Sequence, residues 1–199
     1  METEPFNFVI GRGTWDAQIR YFTHEIDHHY WADFSPACAR ELDALENKIN
    51  RRLPADLRLF LTSFGSGGFP ARHGGQIHSP EEMCEGCIGS ILMACGRAKN
   101  VTNEQLKRFY ILRGEQNPDP SNYTTERLNQ HGVSAFDLLQ IGSDGCCGYH
   151  QVYVGAEPRP FGYGLLHETE MYDVLPSFSA GLCKILNDHW KAGSGRLED

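Results

Sequence analysis

The sequence predicts a single α+β domain in which several helices pack against a mainly antiparallel, twisted sheet. Helical periodicity dominates the first half of the chain, whereas short apolar segments separated by turn residues dominate the second half. Helices followed by strands in hairpin order are typical of an α+β fold. The chain has 199 residues, of which 40% are hydrophobic and 22% charged, as expected for one globular domain.

Two helices are predicted before residue 54 from apolar residues that recur every three or four positions. The first spans residues 14–31 and carries large apolar side chains on one face. The second begins with Ser35 as its N-cap and Pro36 as its first residue, and it continues into Leu53. The first helix belongs to a predicted N-terminal helical extension, residues 1–34, that packs on the core.

Three more helices are indicated by local signals. Pro54 suits a first helical turn, and Gly65 follows that helix where a left-handed residue is favoured. Ser79 and Glu82 have the spacing of a capping box that opens the next helix. The closing helix is predicted at residues 177–190.

Three strands are predicted near residues 136–141, 149–154 and 161–167. The acidic run at residues 167–173 then lies between the last strand and the closing helix. The main domain covers residues 35–190, and a glycine- and serine-containing flexible tail at 191–199 follows it.

A set of motifs spread over the chain follows one pattern: the run from Glu41 through Leu53-Pro54-x-Asp56-Leu57 to Gly65-x-Gly67-Gly68, the segments 77–83 and 141–145, the strand at 149–154, and Phe178. Together these motifs resemble the SUKH superfamily, which includes bacterial immunity proteins and fungal cell-wall synthesis regulators. The resemblance extends over residues 35–188, with gaps. It departs from the family at Cys146 and Cys147, which occupy a turn where small or acidic residues are more usual.

The resemblance implies a cytoplasmic immunity protein, not an enzyme, that binds a cognate bacterial toxin domain, often a nuclease, and neutralises it by stoichiometric occlusion. A regulatory interaction scaffold, like the fungal members, is the first alternative. In sequence order, no Ser/His/Asp or Cys/His arrangement indicates a nucleophile with its base.

The charge of the chain agrees with a basic protein partner. The formal net charge is −8, from 26 acidic and 18 basic residues, which disfavours direct nucleic-acid binding. The acidic run supplies the predicted contacts, Glu168, Glu170 and Asp173. For at least some of these groups, compensation of the dipole at the start of the closing helix by Glu170 and Asp173 is the favoured interpretation. We expect no membrane association, because neither a signal peptide nor a long apolar run is apparent.

Two short motifs raise the alternative of bound zinc, although we expect no cofactor. His24, Glu25 and His28 match H-E-x-x-H, in which two histidines on one helical face hold zinc and the glutamate acts as base. This motif would make the protein a zinc-dependent hydrolase. Cys84 and Cys87 have the C-x-x-C spacing of a zinc knuckle, but buried cysteines on one helical face are the favoured interpretation. The seven cysteines are expected to be free thiols.

Overall fold

The computed structural model describes five stretches of the chain, residues 6–26, 34–68, 75–83, 137–167 and 170–194. Residues 80–83 also form a helical turn. The helices are α1 (Trp15–Ile26), α2 (Ala39–Ile49), α3 (Ala55–Ser63) and α4 (Phe178–Ser194). The strands are β1 (Gly67–Gly68), β2 (Gln76–Ile77), β3 (Leu138–Ser143), β4 (Gly148–Tyr153), β5 (Tyr163–His167) and β6 (Glu170–Leu175).

The six strands form one sheet in the order of the sequence, and every neighbouring pair is antiparallel. The predicted α+β class with a mainly antiparallel sheet is therefore confirmed. The register shifts between Gln140 and Gly142 and again between Tyr163 and Leu165. Such bulges increase the local twist of a sheet.

One hydrophobic core joins the helices to one face of the sheet. Phe60 of α3 lies at its centre, fully buried, with its ring 5.5 Å from that of Phe178 and 5.7 Å from that of Phe64. A smaller cluster contains Leu138, Tyr153 and Phe161. The main core also includes Ile19, Leu42, Ile49, Leu57, Ile77, Leu139, Ile141, Val152, Leu182 and Leu186.

An extended N-terminal segment lies along α4 and belongs to the same core. The Asn187 amide accepts the backbone N–H of Phe6 at 3.0 Å and donates to the carbonyl of Phe6 at 2.9 Å. About two turns earlier in α4, the Ser179 hydroxyl accepts the backbone N–H of Ile10 at 3.2 Å. Polar side chains spaced along one helical face thus satisfy the backbone of a buried, irregular segment, as buried N–H and C=O groups require.

The aspartate of the Leu-Pro-x-Asp motif holds two elements together. Its carboxylate, on Asp56, accepts hydrogen bonds from both the backbone N–H and the hydroxyl of Ser179, each at 2.9 Å. Ser179 lies in the first turn of α4, where backbone N–H groups have no helical partner and a negative charge is favourable. The motif therefore has a structural purpose at the junction of α3 and α4.

The glycine that ends α3 is required by its surroundings. Gly65 has φ 95°, and a Cβ there would overlap the backbone carbonyl of Ser35. Ser35 and Ser66 form an antiparallel bridge at this point, with N–O distances of 2.9 and 3.1 Å. The predicted helix end at Gly65 is confirmed, and its reason is a close approach of two backbone segments.

The start and end predicted for the second helix are wrong. Cys38, not Ser35, is the N-cap of α2, and its backbone N–H donates to the Glu41 carboxylate at 2.7 Å. Ser35 is extended because it pairs with Ser66. Asn50 ends α2 in a left-handed conformation with φ 51°, so the helix does not continue into Leu53.

Two other predicted helix boundaries have different outcomes. The capping box at Ser79 is confirmed, since its N–H donates to Glu82 at 2.7 Å and its hydroxyl accepts the N–H of Glu82 at 3.2 Å. The closing helix continues to Ser194, beyond the predicted boundary at residue 190. The predicted part of the first helix after Ile26 lies outside the described residues.

Candidate functional site

The acidic run belongs to a sixth strand and not to a connection before the closing helix. Glu170 and Asp173 lie in β6, whereas Glu168 lies outside the described residues. The closing helix begins at Phe178 and has no acidic residue in its first turn. The prediction that Glu170 and Asp173 compensate its dipole is therefore wrong. The strand forms through its pairing with β5, which the local sequence does not reveal, and its backbone is irregular at Asp173, which has φ 49°.

Asp173 shares one ammonium group with a second carboxylate. Lys184 Nζ lies 3.4 Å from Asp173 and 2.6 Å from Asp188. Burial acts to lower the pKa of Lys184, but the hydrogen bond and charge of Asp188, with those of Asp173, together raise it. One cation between two acids leaves a net negative charge at this part of α4 and β6.

An exposed aromatic residue accompanies these acids on β6. Tyr172 keeps 48% of its surface exposed. Its ring meets the imidazole of His167 edge-on, with ring centres 6.4 Å apart. Among the described residues, β6 pairs with β5 alone and therefore forms an edge of the sheet.

The turn between β3 and β4 is fixed by one carboxylate. Asp144 accepts the backbone N–H groups of Cys146 and Gly148, both at 2.9 Å, and Gly145, which follows Asp144, has φ 78°. This bonding is typical of aspartate in tight turns. It holds the side chains of Cys146 and Cys147 in an exposed position.

A thiol and an imidazole meet beside this turn. Cys147 Sγ lies 2.7 Å from His167 Nε2, and 3.5 Å from Cys146 Sγ. The contact follows from the register, which places Gly148 opposite His167. We call Cys146, Cys147, His167 and Tyr172 the thiol rim.

The thiol rim was not predicted from the sequence, because its members come from a turn and two different strands. Cys147 and His167 are separated by 20 positions, and no short motif encodes their contact. The adjacent cysteines, in a segment that reads as a turn, were the available signal. The strand register supplies the histidine.

A second imidazole is buried behind the rim and has a different environment. His150 Nδ1 lies 2.6 Å from the hydroxyl of Tyr163, and both side chains are buried. Burial, with the nearby charge of Asp173, raises the pKa of Tyr163, so this phenol stays neutral. Gly181 allows α4 to pack closely against the Tyr163 ring, because a Cβ at position 181 would overlap that ring.

The zinc motifs are not tested by the described residues. His24 and Glu25 lie in the last turn of α1, whereas His28, Cys84 and Cys87 lie outside the described stretches. Within those stretches, no group of three or more His, Cys, Asp or Glu side chains is arranged to hold a metal ion. The same stretches contain no helix that is both long enough and apolar enough to cross a bilayer.

Comparison with known proteins leaves the family open. No family model matches the chain, and no curated protein matches it.

Proposed function

We propose that this chain is a SUKH-like immunity protein, which binds a cognate bacterial toxin domain one-to-one and neutralises it by covering its active face. The observation that carries the proposal is the edge of the sheet at β6, where exposed Tyr172 stands beside acidic positions. Aromatic residues are the commonest energetic anchors of protein interfaces.

The charges at this edge favour a basic partner. Glu170 and Asp173 belong to β6, and Asp173 shares Lys184 with Asp188, so acid exceeds base there. A nuclease domain presents a basic surface to its phosphate substrate, and an acidic edge that mimics the substrate would attract it. The net charge of −8 acts in the same direction at longer range.

The motifs behind the family resemblance support the proposal at the level of the scaffold. Asp56 and Gly65 have specific structural purposes at the junctions of α3. A scaffold with fixed junctions and a separate exposed edge suits a family whose members bind different toxins, because function resides in the site and not in the fold.

The proposal is tested by titrating the protein into the toxin-like domain encoded beside its gene, with toxin activity and calorimetry as readouts. We expect one-to-one binding with a nanomolar Kd and loss of toxin activity at equimolar protein. The association rate should fall about tenfold from low to high salt, because opposite charges accelerate encounter only while unscreened. Failure to inhibit the toxin at equimolar protein contradicts the proposal.

A matched pair of variants locates the contact surface. Tyr172→Ala is expected to weaken binding by about tenfold or more, the effect of removing an aromatic anchor. Val9→Ala is the control, because Val9 is exposed to a similar extent, 52%, but lies in the N-terminal segment beside α4. Equal affinity of the two variants would place the contact elsewhere than β6.

A further inference from the structure

The thiol rim has a chemical capability that binding to a toxin does not require. Two thiols lie 3.5 Å apart, and one of them, on Cys147, contacts an imidazole nitrogen at 2.7 Å. Both cysteines are exposed, so a small reagent in solvent reaches their sulfur atoms. An exposed thiol beside a histidine is the environment in which cysteine reacts as a nucleophile.

We propose that Cys146, Cys147 and His167 form a thiol–disulfide exchange site that reacts with low-molecular-weight disulfides. Cys147 is the attacking thiol, His167 takes its proton, and Cys146 resolves the mixed disulfide. This site does not depend on the proposed immunity function, because the chemistry requires the isolated protein and the small disulfide alone.

The first step forms a mixed disulfide. His167 Nε2 takes the proton of the Cys147 thiol, and the resulting thiolate attacks one sulfur of the small disulfide RSSR. A bond forms between Cys147 and that sulfur, the bond within RSSR breaks, and the leaving thiolate RS⁻ receives the proton from the imidazole. One molecule of RSH is released.

The second step closes a disulfide between neighbouring residues. The Cys146 sulfur attacks the Cys147 sulfur, the mixed disulfide breaks, and a second RSH leaves with the proton of the Cys146 thiol. Two protein thiols are oxidised while one small disulfide is reduced to two thiols. Adjacent Cα atoms are only about 3.8 Å apart, below the usual span of disulfides, so the product is strained and readily reduced.

Two other cysteines of the same chain serve as internal controls. Cys38 is also exposed, but it caps α2, and its side chain faces the backbone of Glu41 rather than an imidazole. Cys183 is half-buried and contacts the backbone of Phe8, and burial raises its pKa. Cys38 is therefore the exposed control and Cys183 the half-buried one, and among the described residues neither is hydrogen-bonded to an imidazole.

The first experiment measures alkylation of the native protein by iodoacetamide at pH 7, resolved by peptide mass spectrometry. The protein carries Cys146→Ser, so that Cys147 is the only one of the two adjacent thiols left in its peptide. We expect Cys147 to react about tenfold faster than Cys38. Equal alkylation rates at Cys147 and Cys38 would overturn the proposal. This test needs no substitution of His167.

The histidine is tested with His167→Gln, which keeps a polar side chain but removes the base. The rate at Cys147 should fall to that at Cys38, while Cys38 and Cys183 keep their rates. Unchanged rates at the two controls show that the variant is folded. An unchanged rate at Cys147 in that folded variant would contradict the assigned base.

The second experiment uses oxidised glutathione as the small disulfide. With oxidised glutathione in excess and little reduced glutathione present, the unaltered protein should accumulate the Cys146–Cys147 disulfide despite its strain, because little thiol is available to reduce it. Cys146→Ser should stop at glutathione bound to Cys147. In Cys147→Ser, the remaining Cys146 should react no faster than Cys38. Accumulation of the mixed disulfide in the unaltered protein would contradict the resolving role of Cys146.

Discussion

The polar cluster around Asp56 and the thiol rim differ in where their hydrogen bonds go. Asp56 accepts the N–H and hydroxyl of Ser179, and Ser179 in turn accepts the N–H of Ile10, so each bond joins separate segments of the scaffold. In the rim, the contact between Cys147 and His167 joins two side chains that are both partly or wholly exposed.

The difference separates positions that build the fold from positions that are available for chemistry. A buried polar group must be paired, because an unpaired one costs free energy, and its partners fix it in place. An exposed pair of side chains exchanges its contacts with water at little cost, so its presence adds little to stability. Substitutions in the two regions are therefore expected to have effects of different size and kind.

The largest effect is expected at Gly65, whose Cβ would overlap backbone. Gly65→Ala should lower the free energy of unfolding by about 3 kcal/mol or more, since both the left-handed φ of 95° and the clash with Ser35 oppose it. Gly13→Ala is the matched control, because Gly13 also has a positive φ, 63°, but nothing lies within 4 Å of its Cβ position.

Urea denaturation of both glycine variants separates the two causes. Gly13→Ala should cost about 1–2 kcal/mol, the penalty of a left-handed conformation alone. Similar losses in the two variants would show that the backbone near Ser35 moves aside, and the close approach would not be a requirement of the fold.

The next effect is expected at Asp56. Asp56→Ala should cost about 2–3 kcal/mol, because it leaves the N–H and hydroxyl of Ser179 without their acceptor at the start of α4. Asp56→Asn keeps a carbonyl oxygen in the same place and should recover part of the loss. If thermal unfolding of the alanine variant matches the unaltered protein, the cluster does not stabilise the junction.

Glu46 extends the comparison to a buried charge. Its carboxylate accepts the backbone N–H of Leu53 at 2.9 Å and contacts the guanidinium groups of Arg52 and Arg58 at 2.6 and 3.3 Å. Burial acts to raise the pKa of Glu46, but the Leu53 hydrogen bond and the two arginines together lower it below its ordinary value of 4.5.

A lowered pKa in the folded state makes the stabilisation by Glu46 dependent on pH. The contribution is complete above the unfolded-state pKa and is lost as the pH falls through the folded-state pKa. Glu46→Gln should therefore cost about 1–2 kcal/mol at pH 7 and progressively less below pH 4.5. A difference between variant and unaltered protein that stays constant from pH 7 to the acid range would contradict this assignment.

The smallest effect is expected in the rim. Cys147→Ser should change the free energy of unfolding by less than about 0.5 kcal/mol, because the side chain is exposed. Chemical denaturation measures this change directly. A loss comparable to that of Asp56→Ala would mean that the thiol–imidazole contact belongs to the scaffold.

The parts of the fold that sequence analysis predicted depend on local rules. Gly65 after an apolar helix, and Ser79 with Glu82 at capping-box spacing, involve neighbours in the chain, and both predictions are confirmed. The Leu-Pro-x-Asp motif also marked the start of α3, although its purpose depends on Ser179, which is 123 positions away.

The parts that were missed depend on contacts between distant segments. Serine is a common N-cap residue, but the bridge to Ser66 keeps Ser35 extended. The N-cap of α2 is therefore Cys38. Residues 170–175 form β6 through pairing with β5, despite the left-handed Asp173. The same pairing register creates the thiol rim, which no local pattern reveals.

The central claim is that the edge carrying Tyr172 recognises the partner, whereas the Asp56 cluster serves the fold. Calorimetric titration of Tyr172→Ala and Asp56→Asn with the adjacent toxin-like domain tests it most directly. We expect Tyr172→Ala to raise the Kd about tenfold or more, while folded Asp56→Asn keeps the Kd of the unaltered protein. A raised Kd for Asp56→Asn together with an unchanged Kd for Tyr172→Ala would contradict it.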